Sequence, residues 1–74
     1  MLELDMSAFS ARMREAREQL GVCMDAAAKM IGVSRSVIRY WENGQRVPTA
    51  WSLHQICQAY GVSADWLLGL EGIQ

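Results

Sequence analysis

The chain has 74 residues, 51% hydrophobic and 20% charged, a balance that fits one packed domain and excludes a disordered segment. No apolar run approaches the ~18 residues of a membrane span, and the opening Met1-Leu2-Glu3-Leu4-Asp5-Met6 is acidic where a secretory signal is basic, so the expected location is cytoplasmic. The formal net charge of −1 is unevenly spread: residues 26–64 hold Lys29, Arg35, Arg39 and Arg46 against Glu42 alone, a cationic middle between acidic ends.

Five short helices fit the punctuation of the chain, and no window alternates with the period of a strand. The first is predicted over about Ser7 to Leu20, with Ser7 as N-cap, Phe9, Met13, Ala16 and Leu20 along one face, and Gly21 closing it. The second covers about Met24 to Ile31, where Ala26-Ala27-Ala28 gives high propensity and Gly32 ends the helix. Ser34 caps a third, about Arg35 to Asn43, ended by Gly44. Thr49 caps a fourth whose Leu53, Ile56, Cys57 and Tyr60 form an apolar stripe. Ser63 caps a fifth through Leu68, with Asp65 in the first turn, where the helix dipole favours an anion. The fold class is all-α, with the domain at 7–70 and tails at 1–6 and 71–74.

Catalysis finds no support in this pattern. There is no Ser/His/acid set, no pair of carboxylates facing a cleft and no phosphate-cradling glycine loop. Cys23 and Cys57 are too few for a disulfide scaffold, and with the single His54 they fall short of a structural zinc site. No metal and no cofactor is expected.

The informative stretch is Met24 to Asn43. Its two helices are joined only by Gly32-Val33-Ser34, which forces them to cross steeply at close range. Such a crossing needs a small side chain, a turn residue tolerant of positive φ, a plug beneath the turn and inward residues on the next helix. Ala28, Gly32, Val33, Ile38 and Trp41 supply these in order. That is a helix-turn-helix.

From Arg12 to Leu70 the sequence resembles the phage repressor/Cro-type (XRE-like) DNA-binding domains of lambda-repressor-like fold. The likeness rests on Arg12-Met13-Arg14-Glu15 and Arg17, on Ala28 with Gly32-Val33-Ser34-Arg35-Ser36, and on Ile38. It continues through Glu42-Asn43-Gly44, Pro48 and Gly61-Val62-Ser63-Ala64-Asp65-Trp66-Leu67-Leu68. It implies a compact five-helix bundle that puts its third helix in the major groove of double-stranded DNA. It also implies a homodimer on a palindromic operator, hence a transcriptional regulator of phage or prophage type.

With Ile38 and Trp41 turned inward, the opposite face of the third helix is Arg35, Ser36, Arg39 and Tyr40, which the resemblance makes base-contacting. Each arginine can offer a bidentate fork to guanine, and Val37 at the edge of this face can meet a thymine methyl. Phosphate contacts are expected at the free N–H groups opening the second helix, at Met24, and from Asn43 and Arg46. Arg12 and Lys29 are expected to be solvated. Family members commonly carry Gln where this chain has Met24, and Ser or Thr where it has Cys23, so the usual side-chain phosphate contact is lost here. Glu42 sits at a helix C-terminus that disfavours an anion, and the resemblance supplies its partner, Arg17.

The resemblance also places Trp66 and Leu70 at or near a two-fold interface, with Trp51 as an outside candidate; the alternative is that Trp66 closes the core. Two other functions stay open. One is an antitoxin that binds its operator and a toxin, for which Leu2, Leu4 and Met6 offer apolar surface. The other is a helix-turn-helix kept for protein–protein contact alone, which Met24 and the net acidity suit.

Overall fold

The computed structural model describes residues 4–70. Five helices follow in order: α1 Met6–Leu20, α2 Met24–Ile31, α3 Arg35–Glu42, α4 Ala50–Tyr60 and α5 Ala64–Leu68. Among the described residues there is no strand, and no helix is long and apolar enough to cross a membrane. The arrangement is the all-α five-helix bundle with a helix-turn-helix that the sequence implies.

One core holds the helices together. Phe9, Met13 and Ala16 of α1 meet Ala27, Ala28 and Ile31 of α2, Ile38 and Trp41 of α3, Ile56 and Tyr60 of α4, and Leu67 of α5. Fully burying a large apolar side chain stabilises by about 1.5–3 kcal/mol, and six such side chains here are closed to solvent. Leu53 and Cys57 of the α4 stripe are half-buried against this core.

α2 and α3 cross as the turn dictates. Ala28 is buried at the crossing, and its carbonyl accepts from both Gly32 N–H (2.8 Å) and Val33 N–H (3.0 Å). Gly32 has φ +93°, a left-handed conformation that strains any side-chain-bearing residue. Val33 packs half-buried beneath the turn, and Ser34 Oγ accepts from Val37 N–H to start α3.

Several boundaries differ from the sequence reading. The N-cap of α1 is Asp5, not Ser7: the Asp5 carboxylate accepts from Ala8 N–H at 3.2 Å. The two added residues carry Met6 onto the core as a continuation of the Phe9–Met13 stripe, while Ser7 lies exposed. The earlier start shifts one residue of the expected 1–6 tail into α1, whereas Leu2 and residues 71–74 lie outside the described residues. At the other end of α1, Leu20 is 45% exposed instead of buried. The chain reverses at Gly21, and Val22 takes the core position that Leu20 was expected to fill. α3 ends at Glu42, with Asn43 as its cap.

Candidate nucleic-acid interface

α3 has two chemically opposite sides. Ile38, Trp41 and Glu42 are buried, and Val37 is half-buried against the core. Arg35, Ser36 and Arg39 are exposed on the other side, and Tyr40 is half-exposed beside them. Two adjoining concavities run along this face. One is lined by Ser36, Arg39, Tyr40, Asn43 and Gln45, the other by Met24, Arg35, Ser36 and Arg39. Met24, Arg35, Ser36, Arg39, Tyr40 and Asn43 therefore share one surface, and Arg46 reaches it only through Tyr40.

That contact is specific. The Arg46 guanidinium carbon lies 4.3 Å from the centre of the Tyr40 ring, in cation–π geometry. The α3–α4 loop is folded back by Gln45 N–H donating to Tyr40 O at 2.9 Å, which brings the next residue over the ring.

At the start of α2 the N–H groups have no side-chain cap from Cys23, and the first backbone bond is Ala27 N–H to Cys23 O. The Met24 side chain packs half-buried on the core, so its part in an anion site falls to its backbone N–H. Next to it stands Asp25, exposed, with a carboxylate oxygen 3.7 Å from Arg35 Nε. An acid at this point opposes a phosphate and was not anticipated. Gln45 was also missed, although its place one turn past the end of α3 was a usable signal.

Behind the face, Glu42 is 3% exposed and receives two bonds from Arg17: Nε to Oε2 at 2.7 Å and Nη2 to Oε1 at 3.0 Å. Arg17 also donates to Val22 O at 2.9 Å, and its guanidinium is held above its ordinary pKa chiefly by the hydrogen bond to Glu42. Arg14 adds a longer contact to the same carboxylate at 3.6 Å. Both arginines lie on α1, so the first helix is clamped to the end of the third.

At the C-terminal end of the described residues, Trp66 of α5 is half-buried and Leu70 is exposed. Arg12 is not solvated: it donates to Trp66 O and lies 5.5 Å from the Trp66 ring centre, tying α1 to α5. Lys29 is exposed as expected, and so is Trp51, at 62%.

This geometry has close counterparts among known proteins. The Helix-turn-helix family matches residues 13–67. The P22 c2 repressor protein, in a crystal structure with synthetic operator 9T, superposes with a TM-score of 0.81 at 32% identity, covering 85% of this chain and 96% of that one. The solution structure of the P22 c2 repressor DNA-binding domain gives 0.78 at 30% identity, covering 90% and 86%. An HTH-type transcriptional regulatory protein of Archaeoglobus fulgidus is 38% identical over 61 residues, 80% of this chain and 20% of its own length. The HTH-type transcriptional regulator ImmR of Bacillus subtilis is 29% identical over 62 residues, 84% of this chain and 49% of its own. The chain thus spans half or less of these two regulators. It belongs to the helix-turn-helix family, and its domain is of the phage-repressor (Cro/C1) type.

Proposed function

We propose that the chain is a sequence-specific double-stranded DNA-binding transcriptional regulator of repressor type that inserts α3 into the major groove. One observation carries the reading: Arg35, Ser36 and Arg39 stand exposed on the side of α3 opposite its buried Ile38 and Trp41. The likeness to the P22 c2 repressor, whose crystal structure includes a synthetic operator, supports the same use of this face and a phage or prophage origin.

In this proposal Arg35 and Arg39 read guanine edges, Ser36 bonds a neighbouring base, and Tyr40 offers its hydroxyl at the groove edge. The Met24 N–H, Asn43 and Arg46 hold phosphates. The functional unit is a homodimer on a palindromic operator, with Trp66 and Leu70 at or near the two-fold axis. With about three phosphates neutralised per protomer, the log–log salt slope of binding is about −5. The protein acts by binding in the cytoplasm, with no catalytic step.

A protein partner besides DNA, such as a toxin, is favoured by exposed Trp51. Arg35→Ala separates the cases, because it abolishes specific DNA binding in a regulator or an antitoxin and leaves a purely protein-binding module untouched. The main test is selection of bound duplexes from a random pool. Convergence on a two-fold repeat is expected, and a pool that does not converge overturns the regulator reading.

A further inference from the structure

Resting on that DNA-binding reading, we infer that Tyr40 is a positioning residue for Arg46: its ring holds the loop guanidinium beside the α3 face, so that Tyr40 governs a phosphate contact it does not itself make. Three observations carry this. The Arg46 guanidinium carbon is 4.3 Å from the Tyr40 ring centre. The backbone bond from Gln45 N–H to Tyr40 O, at 2.9 Å, fixes the loop so that residue 46 returns over residue 40. Tyr40 itself walls the concavity formed with Ser36, Arg39, Asn43 and Gln45, so a cation laid on its ring borders the surface that α3 presents.

The physical advantage is pre-organisation. Arg46 is otherwise an exposed arginine on a loop, and such a side chain loses its rotamer freedom when it docks on a fixed phosphate. A planar guanidinium stacked on an aromatic face has already lost part of that freedom in the unbound protein. One face of the Tyr40 ring is then occupied by the guanidinium.

The test compares wild type, Tyr40→Phe, Tyr40→Ala, Arg46→Ala and the double Tyr40→Ala/Arg46→Ala variant on the selected duplex over a range of salt. Arg46→Ala flattens the log–log slope by about 0.9 for each phosphate released. The inference requires Tyr40→Ala to flatten it equally, although no charge has been removed. The double variant then binds within about twofold of the weaker single variant. Tyr40→Phe keeps the full slope, because the ring remains. Without DNA, the Arg46 side-chain protons are shifted upfield by the ring current in wild type and Tyr40→Phe and return to ordinary positions in Tyr40→Ala.

A wild-type slope in Tyr40→Ala, additive losses in the double variant, or a flattened slope in Tyr40→Phe overturns the inference and leaves the regulator reading intact. A wild type that binds no duplex overturns both, even with the ring-current shift in place.

Discussion

Arg17 and Glu42 meet in a two-pronged contact that joins α1 to the last turn of α3, with bonds of 2.7 and 3.0 Å and the carboxylate closed to solvent. A carboxylate at a helix C-terminus is disfavoured by the dipole, and the paired guanidinium offsets that cost. Arg17→Met strands a buried charge, with only the longer Arg14 contact left. It is expected to cost about 3 kcal/mol in urea unfolding, while Glu42→Gln costs less, because the Arg17 guanidinium it leaves unpaired keeps some exposure and its bond to Val22 O. A loss below about 0.5 kcal/mol for Arg17→Met contradicts this clamp.

Tyr60 gives a pH prediction. Its side chain lies in the core, its hydroxyl has no hydrogen-bond partner among the described residues, and burial together with nearby Glu42 pushes its pKa up to about 12. The folded state therefore prefers the neutral phenol. This contribution is fully present below pH ~10 and is lost as pH rises through about 12. Tyr60→Phe is expected to be no less stable at pH 7, because it removes an unpaired buried polar group, and to lose about 2 kcal/mol less between pH 10 and 12. The raised Cys57 thiol shifts both proteins in the same direction and cancels in the comparison. Equal alkaline losses in the two contradict the assignment.

Arg12 ties α5 down by bonding Trp66 O and by lying against the indole ring. Arg12→Met keeps the aliphatic stem and removes both interactions. We expect a loss of about 1–2 kcal/mol. Amide exchange should accelerate most at Leu67 and Leu70, whose N–H groups bond within the α5 segment. Uniform acceleration across α1–α4 contradicts a local tie.

Asp25 should affect stability and binding in opposite directions. It favours the α2 dipole in the first turn, yet it stands 3.7 Å from Arg35 on the proposed DNA face. Asp25→Asn is expected to lower stability by less than about 0.5 kcal/mol while tightening duplex binding severalfold. Weaker binding by this variant contradicts the placement of DNA on that face.

Much of this was legible in the sequence because the signals were local or geometric. The short Gly32-Val33-Ser34 link, the tiny Ala28 and the inward pair Ile38 and Trp41 fix a helix crossing with few alternatives. Caps at Ser34, Thr49 and Ser63 depend only on residues three positions ahead, and all three bond there. The misses depend on partners distant in sequence. Arg12 meets Trp66 across 54 positions, and nothing in either residue's neighbours announces it. Leu20 continues the face of α1 by periodicity, but the periodicity does not say where the opposing core stops. The stack of Arg46 on Tyr40 spans only six positions, but it depends on the α3–α4 loop folding back through Gln45 N–H to Tyr40 O.

If the exposed side of α3 reads base edges, as proposed, repeating the selection from random duplexes with Arg39→Ala shows it. One position in each half-site is expected to lose its base preference while the two-fold spacing and the remaining positions persist. An unchanged preference at every position, from a variant that still folds, contradicts it.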